Sequence, residues 1–302
     1  MKKLLLLLVF FSALLNAAGT PKPIGWAENY FADETLVSKA VEKPKVSGLE
    51  GKEISTYYIG AYMKAKSVQN ALEAAGFTVI AKYSPVKKGT TLVFTDDSLK
   101  AEASKEGRAF AGVSRVFVDD KEKMISFTNP VYFGRAFMQK EYNHAVFNDA
   151  LEKIKAAFPG LKASADKLEY DDLAGYHFMV GMPYYEDPDE LGKPNATTAD
   201  AVAKAKGYKK GKAVIFELKL SETSTLLGYD LGKRTKKFVK KIGRANAAIL
   251  PWCVSIENGQ AKALNAKYYI AISYPLLDMG GFMGIATVPG AITKDLEKAF
   301  KK

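Results

Sequence analysis

One cysteine, two histidines and two tryptophans are spread over 302 residues, and these scarcities narrow the function before any motif is sought. The lone Cys253 cannot form an internal disulfide, so the cores must be held by packing alone. His144 and His177 fall in different halves of the chain, with no second ligand at HxxxH or CxxC spacing beside either. Neither a metal set nor a histidine-based triad is therefore legible, and no metal and no cofactor is expected. The glycine-rich stretch MGGFMGIATVPG, Met279 to Gly290, lacks the GxGxxG and GxxxxGK[ST] patterns that cradle phosphates, and reads as a flexible loop. The apolar run Leu4–Leu15 falls short of the roughly 20 residues that span a bilayer.

That run has another use. Lys2 and Lys3 precede it and Ala17-Ala18 follow it, the order of a secretory signal peptide cleaved at residue 17 or 18. Residues 1–18 are read as that signal, with Cys253 too distant to serve as a lipoprotein cysteine, and the mature protein is expected to be soluble and periplasmic. The formal charge of +11 includes the two departing lysines, so 11 − 2 leaves +9. Moderate basicity suits an acidic protein partner or weak contact with an anionic membrane surface, and nucleic acid is not expected in that compartment. The concentrated block is GKRTKKFVKKIGR, Gly232 to Arg244. Leu231, Phe238, Val239 and Ile242 would share one helical face there, leaving Lys236, Lys237, Lys240 and Lys241 on the solvated side as an anion or partner surface.

The chain also repeats itself. KKGTTLVF, Lys87 to Phe94, is echoed by KKGKAVIF, Lys209 to Phe216. VFVDDKEKMISFT from Val116 returns as VSIENGQAKALNA from Val254, each with an acidic turn, and NDALEKIKAAF ending at Phe158 is matched by TKDLEKAF ending at Phe300. Within the first unit, SVQNALEAAGF has Val68 and Leu72 at helical spacing, Ser67 placed as a cap and Gly76 as a stop. Phe147, Leu151, Ile154 and Phe158 form one stripe on a helix over 143–158. Short strands, interleaved helices and no βαβ rhythm predict an α+β fold. Two similar domains are expected, each a small antiparallel sheet with helices on one face, related by a pseudo-two-fold axis. The boundaries are an N-terminal extension over 19–55, one repeat over 56–158, a polar linker over 159–175 and a second repeat over 176–302.

The helix and strand SVQNALEAAGFTV, a strand ending LVF, and then AGVSRVFVDDKEKMISFTNPVYFGRAF resemble the bacterial domain-of-unknown-function family numbered 302. ILPWCVSIENGQAKALNAKYY is similar to the same hairpin, so the chain looks like tandem, diverged copies, the first the clearer. The resemblance implies a small α+β domain and no agreed activity.

Candidate site residues come from three stretches. NPVYFGRAFMQKEY follows the first hairpin and carries Tyr132, Arg135 and Phe137, residue types favoured at binding surfaces, while SYPLLDMGGFM holds the equivalent place in the second repeat. AGYHFMVGMPYY brings His177, on an expected strand, near Tyr184 and Tyr185. The acidic EDPDE, Glu186 to Glu190, reads as a solvated turn that could offer oxygens to calcium but lacks the EF-hand spacing. The favoured function is a non-enzymatic binding or accessory module for a small molecule or a periplasmic protein. The alternative is a periplasmic enzyme or redox accessory using His177, Cys253 and tyrosines.

Overall fold

A computed structural model describes residues 45–301, all within one compact unit; the expected signal peptide and most of the expected N-terminal extension lie outside the described residues. The fold is α+β, built from small antiparallel sheets and helices. The first sheet takes β2 (Tyr57–Ala61), β3 (Thr78–Tyr83), β4 (Gly89–Thr95), β5 (Ser114–Asp119), β6 (Met124–Thr128) and β7 (Lys162–Ala163), in the order β3-β4-β5-β6-β2-β7. The second takes β9 (Asp189–Glu190), β10 (Val214–Lys219), β11 (Ser224–Tyr229), β12 (Trp252–Glu257) and β13 (Gln260–Ala263), in the order β10-β11-β12-β13-β9. A small ribbon pairs β1 (Glu53–Ser55) with β8 (Lys167–Glu169). Pro159–Gly175, read from sequence as a polar linker, thus supplies strands to two sheets and the short helix Tyr170–Leu173.

Helix α1 (Ala65–Ala74) buries Val68 and Leu72 and stops where Gly76 takes a φ of 89°, a left-handed turn that a side chain would resist. Its cap differs from the expectation. Lys64 occupies the N-cap without a side-chain bond, and Ser67 is already helical. After α2 (Asp97–Ala103), capped by Asp96, the acidic hairpin β5–β6 forms with Val116 opposite Phe127, and Phe127 packs on Phe158 at the end of α4 (His144–Ala157). The expected stripe of Phe147, Leu151, Ile154 and Phe158 is buried. Successive strand residues face opposite ways, so Arg115 and Asp119 turn away from these helices and reach Cys253 and Arg244 of the second half.

The second half follows β9, α6 (Thr198–Gly207), β10, β11, β12, β13, α7 (Ala266–Ser273), α8 (Met279–Met283) and α9 (Val288–Glu297). The first runs β2, α1, β3, β4, β5, β6, α3 (Pro130–Met138) and α4, with α2 inserted before β5. The echo of KKGTTLVF in KKGKAVIF joins different strands of these series, since the former leads into β4, second in its sheet, and the latter into β10, first in its own. Both stretches form turns, since Lys88, Lys209, Lys210 and Gly211 all have positive φ, and a turn can precede any strand. MGGFMGIATVPG is also not a loop, because it holds α8 and the start of α9.

Some of the contacts between the halves come in pairs that answer one another. Tyr132 Oη on α3 donates to the Ile272 carbonyl on α7 at 2.7 Å, and Tyr268 Oη on α7 donates to the Ala136 carbonyl on α3 at 3.3 Å. Asp119, ending β5, accepts from Arg244, which precedes β12; Glu257, ending β12, accepts from the Gly107 N–H, which precedes β5. The 3-10 turn Ala109–Gly112 packs on β11 and β12, and the 3-10 segment Arg244–Ile249 packs on β5 and β6. Strands β3 and β10 lie against one another.

Candidate functional site

The aromatic candidates do not form an exposed edge. Tyr132 and Arg135 are 0% exposed and Phe137 3%, on a helix clamped between the halves. The composition that marks a binding surface also marks an internal interface, and here it serves the latter: Phe137 stacks on Tyr185 and meets Tyr269 edge-on. Arg135 is caged by Tyr170 and Tyr142, with its guanidinium 4.8 and 5.7 Å from the two ring centroids, and burial pulls its pKa down. Tyr185 is buried too; its hydroxyl donates to the Gly107 carbonyl at 2.6 Å, and burial pushes its pKa up.

His177 sits half-buried in an irregular loop instead of a strand, its ring 4.5 Å from that of Tyr184. His144 opens α4, where Tyr142 Oη lies 3.0 Å from Nδ1 and burial lowers the imidazole pKa. In the EDPDE stretch, Glu186 pairs with Arg108 at 2.9 Å, Asp187 accepts from the Tyr184 N–H, and Asp189 joins β9 while accepting from Asn265 and Thr293. These oxygens are spent on the fold. Among the described residues no cluster of histidine, cysteine and carboxylates is placed to hold a metal ion, and no helix is long and apolar enough to cross a membrane.

The basic block is where sequence and structure differ most. It is not one amphipathic α-helix but the 3-10 segments Thr235–Lys240 and Arg244–Ile249, separated by Gly243 with a φ of 101°. A run of like charges resists the regular helix that would stack them. Phe238 and Val239 anchor it in the core, and Asp295 of α9 ties it down by accepting from the Gly232 N–H at 2.9 Å and the Thr235 hydroxyl at 2.6 Å. Several of its cations are engaged. Lys236 pairs with Asp230 at 2.8 Å, which also accepts from Tyr83; Lys241 donates to the Gly284 carbonyl; and Arg244 holds Asp119 and the Lys88 carbonyl.

Lys237 and Lys240 are left, and Lys233 and Lys87 join them. Around an open groove of about 570 Å3, floored by Pro85 and Val86 of the β3–β4 turn, these four side chains make no hydrogen bond or ion pair among the described residues. One half supplies Lys87 and the other the remaining three. Sequence reasoning singled out Lys237 and Lys240 and placed Lys233 in the same basic block, but did not single out Lys87. The legible signal for Lys87 was its place in a lysine-lysine-glycine turn, which exposes side chains by construction.

A second cluster is buried. Arg115, 4% exposed on β5, places Nη2 2.8 Å from Cys253 Sγ and 3.5 Å from the Pro251 carbonyl, while its Nε has no partner among the described residues. Cys253 is buried, and its thiol pKa is raised by burial despite the adjacent guanidinium. Tyr269 stands beside them with its phenol pushed up to about 12. Arg115 was overlooked in the sequence, although a lone arginine in SRVFVD was a visible anomaly.

Comparison with family models, with curated proteins and with solved structures gives no match for this chain.

Proposed function

We propose that this is an exported, periplasmic, non-enzymatic binding module made of two diverged copies of one α+β domain, and that it holds an acidic partner in the basic groove at the seam between them. The binding reading is carried by one observation: Lys87, Lys233, Lys237 and Lys240 line one groove, and among the described residues none of the four pairs with a carboxylate. Uncompensated cations in a concave surface raise the local concentration of anions and steer their approach.

The duplication reading is supported by the matching strand orders and by the reciprocal contacts. With Val116 set on Val254, Arg115 corresponds to Cys253 and Asp119 to Glu257. The second hairpin turn is shorter, after which Asn129 corresponds to Asn265, and each caps its helix by accepting from the N–H two residues on. Tyr132 then corresponds to Tyr268 and Ala136 to Ile272. When residue i of one copy touches j of the other, and j's counterpart touches i's, the contact is isologous, as an approximate two-fold axis requires. Resemblance to the family numbered 302 fits a single ancestral unit of this kind. The enzyme alternative has no shared site to stand on, because His177 packs on Tyr184 whereas Cys253 is buried against Arg115.

Binding to a polyglutamate-coated surface tests the groove. Changing Lys87, Lys233, Lys237 and Lys240 together to Gln should abolish most of the salt-sensitive binding and leave the circular dichroism unchanged. A control with Lys64, Lys66, Lys162 and Lys193 changed to Gln carries the same net charge and should bind like the parent. Equal loss in both variants would mean that net charge, and not the groove, does the binding.

A further inference from the structure

The geometry points to a buried binding site for a monoatomic anion, a halide such as chloride, on the guanidinium of Arg115 in the core between the two halves. Arginine stays ionised in proteins, and a cation taken out of water needs a counter-charge or a full set of acceptors. Arg115 has neither. Among the described residues no carboxylate bonds to it, its Nη2 meets only a thiol sulfur and one long carbonyl contact, and its Nε meets nothing. Cys253 does not supply the charge, because burial holds its thiol in the protonated form at neutral pH.

Space is available where the guanidinium looks. Arg115 lines two cavities of about 10 Å3 each, with Tyr269 common to both. The first also has Ser114, Thr128, Asn129 and Tyr57 in its wall, and the second has Cys253 and Trp252. A cavity of this size takes one water-sized particle. Sulfate, phosphate and carboxylates are too large, and a halide, a little larger than a water, is the anion nearest that size. Such an ion would pair with a residue of one half against walls supplied by both, so its binding would strengthen the seam. The site is separate from the basic groove and independent of any acidic partner, because Arg115 is buried in the core.

Thermal unfolding of the mature chain in sodium chloride or bromide, against sodium gluconate at the same ionic strength, tests it. The halides should raise the melting temperature by about 2–5 °C at a tenfold excess over their Kd, in a saturating manner. Arg115→Met should abolish that difference, whereas the general effect of salt on the surface should remain. Equal melting in halide and gluconate, or an undiminished difference in Arg115→Met, would overturn the proposal. Should Arg115→Met fail to fold, crystals of the unaltered protein grown in sodium bromide decide the matter. An anomalous peak within hydrogen-bonding distance of the Arg115 guanidinium is expected, and light-atom density there without anomalous signal would assign the position to water.

Discussion

Cys253 illustrates how a single neighbour changes the meaning of a residue. In the sequence it is a small apolar filler of a strand, for which valine would be an improvement and serine a harm. In the fold its sulfur lies 2.8 Å from a charged nitrogen of Arg115, so it is also an acceptor. Cys253→Ser keeps an acceptor beside the guanidinium and should cost less than about 1 kcal/mol. Cys253→Val removes it and should cost about 1–3 kcal/mol, because a charged donor is left unsatisfied. Urea unfolding of both variants gives the ranking, and a valine form more stable than the serine form would return Cys253 to the role of filler. This pair could not be read from the sequence, as 138 residues separate its members and nothing near Arg115 announces the partner.

At the scale of elements, what was legible was local. The hairpins at Val116 and Val254 declare themselves by short apolar strands around acidic or amide turns, and the stripe of α4 declares itself by its spacing. The basic segment has no such signature, since Phe238 and Val239 suit a 3-10 winding as well as an α-helix. What ties it down is Asp295, far along the chain on α9. Burial alone would raise its pKa, but the bonds from Lys298, the Thr235 hydroxyl and the Gly232 N–H outweigh it and hold the carboxyl below the usual range. A carboxylate depressed in the folded state contributes stability in full above its unfolded pKa, and that contribution is lost as pH falls through the folded value. Amide protection over Lys233–Lys241, taken relative to the intrinsic exchange rate at each pH, should therefore fall on acidification below the ordinary aspartate range. Asp295→Asn should show lower protection already at neutral pH and little further change in protection on acidification. An acid response identical in the two proteins would show that another group holds the segment.

On the scale of the whole molecule, the question is whether the two halves are separate beads or one cooperative body. Tyr132 and Tyr268 bear on it directly, because each hydroxyl crosses the seam to a carbonyl of the other half, and both side chains are buried. Removing the Tyr132 hydroxyl takes the side-chain donor from the Ile272 carbonyl, at a cost of about 1 kcal/mol, whereas the Ala136 carbonyl keeps the Gln139 amide as a donor when the Tyr268 hydroxyl is removed. The 2.7 Å bond of Tyr132 is better formed than the 3.3 Å bond of Tyr268, so Tyr132→Phe should be the more harmful of the two. If the aromatic seam of Phe137, Tyr185, Tyr268 and Tyr269 is shared core, neither half can unfold without exposing the other. Calorimetry should then give a single transition whose calorimetric and van't Hoff enthalpies agree, and both substitutions should move that one transition downward. Two transitions, with Tyr132→Phe shifting one and Tyr268→Phe the other, would describe two domains that merely touch. The ordering of the two variants adds a check that cooperativity alone does not provide, since it depends on the particular bonds that cross between α3 and α7.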